Sequence, residues 1–189
     1  MESLELEKIM NRIIEWVKVC DTKTSIMLSA LSVLLTICST SEIIVNKIYD
    51  LVLRLFDKHY YLYSGINVIG ILALLFLITS CFFALGSGYC FIKVLYAKKD
   101  ENQFNDNHFT NSLIHFHHIS SLKYEEFLKD MKEYSNDNKT NDLLSQIHIN
   151  AIRCNEKFDN YNAGIKYFAV TLVLGLVTFI LFSIYYILY

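Results

Sequence analysis

The chain has 189 residues, of which 53% are apolar, 14% are aromatic and only 19% are charged; it contains no proline, and its formal net charge is −2. Soluble domains usually carry about 25% charged and about 45–50% apolar residues. The apolar excess lies in three blocks. This pattern excludes a secreted disulfide scaffold, a disordered tail and a basic nucleic-acid-binding domain, and it predicts a small integral membrane protein.

The first predicted element is an amphipathic helix within residues 1–23, in which Ile9, Ile13 and Trp16 recur at helical spacing. It continues without a helix breaker into a first membrane-spanning helix, predicted over residues 24–45. No charge occurs between Lys23 and Glu42. At 1.5 Å per residue the block spans roughly 33 Å, about the thickness of a bilayer core.

A row of hydroxyl side chains marks one face of this first spanning helix. Its members recur at intervals of three and four residues and therefore lie on the same side of the helix. Two interpretations stay open: a packing seam, in which the hydroxyls bond to their own helix or to a neighbour, and a face that lines water when the protein assembles. The row consists of Thr22, Ser25, Ser29, Ser32, Thr36 and Ser39.

Residues 46–64 are predicted to form an external connection with a short interfacial helix, because apolar and charged residues alternate helically before the tyrosines at 60, 61 and 63. The second spanning helix is predicted over residues 65–92, which carry no charge. Ser80, Ala84 and Gly88 form a row of small residues within it, and such rows allow two helices to approach closely.

Residues 93–166 are predicted to be a polar helical region outside the membrane. Ser121 is a candidate N-cap for a helix over residues 122–134, and the polar run at 135–141 is predicted to be a loop. A helix is expected to start near Asp142 and to run without interruption into the third spanning helix, predicted over residues 167–189. This combined helix would be roughly 70 Å long.

The distribution of Lys and Arg predicts the topology. Fourteen of the 17 basic residues lie in residues 1–23 and 93–166, and three lie in the first connection. The positive-inside rule therefore places the N-terminus and residues 93–166 in the cytoplasm, and the C-terminus at the outer face.

Few motifs point to chemistry. A nucleophile elbow, a phosphate-binding loop, a dinucleotide glycine motif and a carboxylate dyad are all missing from the sequence, so the protein is predicted not to be an enzyme. His115, His117 and His118 have a spacing that fits neither a helical metal pair nor a zinc finger, and no metal site is predicted. The five cysteines form no C-x-x-C pair and are predicted to be reduced.

Three stretches together resemble the Pycsar transmembrane effector family, in the right order and over most of the chain. They are WVKVCDTKTSIMLSALSVLL with its D-x-K element, IHFHHISSLKYEEF, and the stalk DLLSQIHINAIRCNEKFDNYNAGIKY. The positions that match the family pattern are Trp16, Asp21, Lys23, Phe116, Ile119, Glu126, Phe127, Asp142, Gln146 and Lys157.

The resemblance implies a bacterial anti-phage effector of the inner membrane. It implies that the protein responds to cyclic UMP or cyclic CMP made by a partner cyclase and impairs the membrane, which causes abortive infection. Because no segment is long or β-rich enough to be a separate nucleotide-binding barrel, such a site is expected among the cytoplasmic helices. The candidates are Lys123, Arg153 and Lys157 for the phosphate, and Phe116, Tyr124, Phe158 or Tyr161 for stacking on the base.

The expected fold class is therefore an all-α integral membrane protein with three transmembrane helices and a helical cytoplasmic unit. We expect a homo-oligomer in the lipid bilayer, with a cyclic nucleotide as activating ligand, no other cofactor and no nucleic-acid partner. The alternative function is a non-enzymatic membrane scaffold or signalling protein that recruits a cytoplasmic partner.

Overall fold

A computed structural model of the chain describes residues 3–56, 65–96 and 112–188. In these ranges the regular elements are all helices, so the predicted all-α class is confirmed. Three of the helices are long and apolar enough to cross a membrane: Leu4–Thr40, Val68–Leu95 and Asn136–Leu188. The elements are α1 (Ser3–Thr40), α2 (Glu42–Phe56), α3 (Gly65–Leu95), α4 (Phe116–Ser121), α5 (Tyr124–Glu133) and α6 (Asn136–Leu188).

The chain divides into two compact units. Unit 1 comprises residues 1–22 and 96–159, and unit 2 comprises residues 23–95 and 160–189. Unit 1 contains α4, α5 and the charged parts of α1 and α6, whereas unit 2 contains α2, all of α3 and the apolar parts of α1 and α6. Both α1 and α6 are helical without a break at the residues where one unit gives way to the other.

The first spanning block is shorter than the predicted range 24–45, because α1 ends at Thr40 and α2 begins at Glu42. Ser41 separates the two helices: its backbone N–H donates to Ile37, and its carbonyl oxygen accepts from Ile44 and Val45. The carboxylate of Glu42 in the first turn of α2 favours a helix start there through the helix dipole. Glu42 and the apolar residues 43–45 thus belong to the connecting helix.

Helix α2 packs within unit 2. Leu51 is fully buried, and a Cβ atom on Gly70 of α3 would lie 2.8 Å from Leu51 Cδ1. At the far end of α6, the Tyr186 hydroxyl donates to the Lys47 carbonyl oxygen at 2.6 Å. The Lys47 ammonium also lies 4.8 Å from the centre of the Tyr186 ring. The tyrosines at 60, 61 and 63, predicted to be interfacial, lie outside the described residues.

Two serines of α3 pack against α6, whereas a Cβ atom on Gly88 of the predicted row would lie 3.6 Å from Leu31 of α1. The hydroxyls of Ser80 and Ser87 are buried and donate to the carbonyl oxygens of Thr171 (3.1 Å) and Gly164 (3.0 Å). Gly164 is required by this close approach, since a Cβ atom there would lie 2.6 Å from the Phe91 ring. The interface between α3 and α6 is therefore the closely packed part of unit 2.

Helix α5 begins later than predicted. Ser121 does not cap it but closes α4, where its hydroxyl donates to the His118 carbonyl oxygen at 2.7 Å. Lys123 is the residue before α5, and its backbone N–H donates to the carboxylate of Glu126 at 3.2 Å. Leu122 and Lys123 have extended backbone conformations, which separate the two helices.

The predicted loop at 135–141 is wrong, because α6 already begins at Asn136. The hydroxyl of Ser135 accepts the backbone N–H of Asn138 at 3.2 Å, and its carbonyl oxygen accepts that of Lys139 at 3.0 Å. Ser135 is thus the N-cap, and the Asn and Asp residues after it form the first turn. At 53 residues, α6 is about 80 Å long.

Candidate functional site

An ion pair joins the two long helices within unit 1. The ammonium of Lys157 on α6 lies 2.5 Å from the Asp21 carboxylate on α1, and both side chains are partly exposed. Lys157 was predicted to meet a phosphate, and Asp21 belongs to the D-x-K element. The structure therefore brings two positions of the family pattern together and gives Lys157 an anionic partner.

Aromatic packing lies beside this ion pair. The rings of Trp16 on α1 and Phe158 on α6 are 6.0 Å apart in an edge-to-face arrangement. Further toward the N-terminus of α1, the Asn150 side-chain amide donates to the Met10 sulfur at 3.7 Å. Trp16 is nevertheless 54% exposed, so most of its ring is still accessible. These contacts fix the first part of α1 along α6.

A buried polar cluster forms where the segment before α4 contacts α6. Asp142 is fully buried, and its Oδ2 atom accepts the Tyr134 hydroxyl at 2.5 Å and the Leu113 N–H at 3.1 Å. The Gln146 amide donates to the Ser112 hydroxyl oxygen at 3.3 Å. Asp142 and Gln146 are four residues apart and therefore lie on the same face of α6. We call Ser112, Leu113, Tyr134, Asp142 and Gln146 the Asp142 cluster.

The Asp142 cluster holds Tyr134 in its protonated form. Burial raises the pKa of the Tyr134 phenol far above its usual range, and the hydrogen bond and negative charge of Asp142 act in the same direction. The phenol therefore donates to Asp142 at every pH at which the protein is expected to work. Ser112 and Tyr134 were missed by the sequence analysis, although a serine just before a helix often accepts backbone N–H groups, as Ser112 does from Ile114 and His115.

The other predicted ligand residues are scattered over unit 1, except for Tyr161, which belongs to unit 2, where its ring centre lies 6.3 Å from that of Phe91. Arg153 and Lys157 are four residues apart on one face of α6. Lys123 and Tyr124 lie at the start of α5, where Tyr124 is 73% exposed. The side chain of Phe116 lies outside the described residues.

The remaining family positions have identifiable structural roles or locations. Glu126 accepts the Lys123 backbone N–H at the start of α5, and Phe127 follows it half-buried. Ile119 is half-buried in α4, and Lys23 is exposed on α1. In the described part of the chain, no group of three or more His, Cys, Asp or Glu side chains is placed to hold a metal ion.

The hydroxyl row of α1 lies away from the buried side of this helix. All six of its members are exposed, whereas the buried residues Cys20, Thr24 and Leu31 lie on the opposite side of α1. Most of the hydroxyls donate to a carbonyl oxygen four residues earlier in the same helix. These bonds run from Thr22 to Lys18, Ser29 to Ser25, Ser32 to Leu28, Thr36 to Ser32 and Ser39 to Leu35.

These observations define a class of protein: an all-α membrane protein in which spanning helices extend into a polar helical unit. Residues 5–184 match the Pycsar effector protein domain, so the chain belongs to the Pycsar effector family. This is a family of membrane effectors and not a known enzyme family, and membership supports a role as an anti-phage effector. No curated protein and no solved structure matches the chain.

Proposed function

We propose that the protein is the membrane-impairing component of an anti-phage response in the bacterial inner membrane. In this proposal, unit 1 lies in the cytoplasm and responds to cyclic UMP or cyclic CMP made by a partner cyclase. Unit 2 then impairs the membrane, and the infected cell stops supporting the phage. The observation that carries the proposal is the family match over residues 5–184 in a chain with three candidate membrane spans.

The ligand is expected to act on the contact between α1 and α6 in unit 1. Lys157 is paired with Asp21, and Arg153 lies one helical turn away on α6. The phosphate of a cyclic nucleotide would compete with the Asp21 carboxylate for these basic side chains, because both are anions that ammonium and guanidinium groups bind. Binding would thereby change how α1 is held along α6.

Helix continuity supplies a route for the signal. Both α1 and α6 leave unit 1 without a helix break and enter the apolar segments of unit 2. A ligand can shift an equilibrium between two arrangements only if it binds one of them more tightly. We propose that the Asp21–Lys157 pair is intact in one arrangement and broken in the other, so that the ligand binds the second arrangement more tightly.

The hydroxyl row is the proposed membrane-active surface. Because its six side chains are exposed among the residues that the structure describes, the row is accessible to a second copy or to water. We propose that the active form is a homo-oligomer in which these rows face one another and admit water. Hydroxyls that are already bonded to their own helix can exchange those bonds for water at little cost.

The test uses bacteria that express the full chain together with its cyclase, or with a catalytically inactive cyclase as control. A voltage-sensitive dye reports the membrane potential after phage infection, or after cyclic UMP or cyclic CMP is added to inside-out membrane vesicles, whose cytoplasmic face is exposed to the medium. We expect rapid depolarisation that requires both the effector and an active cyclase or added nucleotide. An intact membrane potential in the presence of both nucleotides would overturn the proposal, and phage resistance without depolarisation would favour a membrane scaffold.

A further inference from the structure

The carboxylate of Asp142 has one oxygen atom that accepts no hydrogen bond from the described part of the chain. The Tyr134 hydroxyl and the Leu113 N–H both donate to Oδ2, whereas Oδ1 is equally buried and receives no donor there. Buried carboxylate oxygens are nearly always hydrogen-bonded, because burial removes the water that would otherwise solvate them. Asp142 therefore offers a hydrogen-bond acceptor to a group that these residues do not supply.

The chemistry of this atom limits what can bind to it. A phosphate is unsuitable, because the negative charge of the carboxylate repels it. The partner must present an N–H or O–H donor on a neutral or cationic group. Pyrimidine bases present such donors, namely the N3–H of uracil and the N4 amino group of cytosine. The base, and not the phosphate, is the part of a cyclic nucleotide that suits this position.

We propose that Oδ1 of Asp142 accepts a hydrogen bond from a base N–H of the activating nucleotide, so that the Asp142 cluster recognises the base. This inference rests on the proposed function and adds a residue that determines specificity. Asp142 and Arg153 are eleven residues apart, so they lie on one face of α6 about 16 Å from each other along the helix. The base and the phosphate are thus assigned to the same face of α6, about three turns apart.

The geometry makes Asp142→Asn an informative variant. The two donors at Oδ2 require an acceptor there, so the amide of the new side chain places its carbonyl oxygen at Oδ2 and its NH₂ group at Oδ1. The internal hydrogen bonds are preserved, and a buried charge is removed. The atom that faces the ligand thereby changes from a hydrogen-bond acceptor to a donor. Because two donors cannot bond to each other, the variant should no longer bind a base N–H there.

The experiment measures the binding of cyclic UMP and cyclic CMP to the purified full-length protein by calorimetry, together with its thermal unfolding. We expect Asp142→Asn to weaken binding by at least about tenfold while the unfolding temperature is unchanged or higher. The control is Asp159→Asn, which makes the same change in charge on an exposed side chain of α6 and should bind like the wild type.

A second arm changes the ligand and needs no variant. The 3-methyl analogue of cyclic UMP and the N4,N4-dimethyl analogue of cyclic CMP lack the base N–H and should bind the wild-type protein much more weakly than their parent nucleotides. The inference alone is overturned if Asp142→Asn binds the parent nucleotides as tightly as the wild type does, and the wild type binds the methylated analogues as tightly as their parents. Wild-type protein that binds neither cyclic nucleotide would overturn the proposed function as well.

Discussion

Helices α3 and α1 of unit 2 both carry a row of small or hydroxyl side chains, and they use these rows in opposite ways. On α3, the hydroxyls of Ser80 and Ser87 are buried and donate to carbonyl oxygens of α6. On α1, the hydroxyls of Ser32 and Thr36 are exposed and donate to their own helix. The comparison shows that the spacing of small residues identifies a face, whereas the acceptor of each hydroxyl reveals whether that face has a neighbour.

The two rows consequently differ in whether their side chains are accessible to another molecule. Ser80 and Ser87 of α3 are already bonded to α6, and their hydrogen bonds contribute to the stability of the packed pair. A hydroxyl that bonds to the carbonyl four residues earlier is satisfied without a neighbour, so the exposed row of α1 is stable as it stands. Substitutions on α1 should therefore change function with little effect on folding, and substitutions at the interface of α3 and α6 should do the reverse.

The largest effect is expected from the triple substitution of Ser29, Ser32 and Thr36 by leucine. It replaces hydroxyls on the exposed face by apolar side chains, so a water-lined assembly can no longer form there. We expect depolarisation to be lost completely, while the protein is inserted and folded normally, because exposed substitutions usually change stability by less than about 0.5 kcal/mol. The voltage-sensitive dye assay and the amount of membrane-inserted protein check both parts.

The matched control is the triple substitution of Ile26, Val33 and Ile37 by leucine, which alters exposed residues next to the row without changing their polarity. This control should depolarise the membrane like the wild type. If the hydroxyl-free variant also retains full depolarisation, the contrast between an occupied row and an available row has no functional meaning.

The sequence predicted the hydroxyl row of α1 but did not reveal its environment. Helical periodicity places Ser29, Ser32 and Thr36 on one face, but the same spacing serves a face that packs, a face that meets lipid and a face that lines water. Which face of α1 is buried depends on Thr24 and Leu31, and their neighbours come from distant parts of the chain. The folded structure adds that the row is exposed and does not pack on the described helices of its own chain.

The candidate site was predictable to a similar extent. The family pattern singled out Asp21 and Lys157, but their ion pair joins residues 136 positions apart, which no local pattern reveals. The predicted loop at 135–141 failed for a different reason: Ser, Asn and Asp favour both loops and helix N-termini. Ser135 caps α6 with these residues, and composition alone does not distinguish the two outcomes.

A second prediction concerns the close approach of α3 and α6. Gly164→Ala places a methyl group 2.6 Å from the Phe91 ring, so the helices must separate or the ring must move. We expect a loss of about 1–3 kcal/mol in the free energy of unfolding, typical of overpacking. Thermal unfolding in detergent measures this loss, and depolarisation should fall only as far as the amount of folded protein does.

Gly175→Ala is the control for that prediction, because its nearest neighbour outside the helix, the Ser80 hydroxyl, lies 4.0 Å from the new Cβ atom. Alanine is favoured over glycine in helices by about 1 kcal/mol, so this variant should be unchanged or slightly more stable. Equal behaviour of the two alanine variants would show that α3 and α6 do not depend on close contact at Gly164.

The smallest expected effect compares single hydroxyls from the two rows. Ser87→Ala removes a hydrogen bond between α3 and α6 and should lower the free energy of unfolding by about 0.6 kcal/mol, the average for bonds between membrane helices, and by no more than about 1.7 kcal/mol. Thr36→Val removes a bond within α1 and should change it by less than about 0.5 kcal/mol, since the Thr36 side chain is exposed and its acceptor keeps its bond in the helix ladder. Unfolding of both variants in the same detergent measures the difference directly. A loss at Thr36 as large as that at Ser87 would mean that the α1 row is already packed against a second copy before activation.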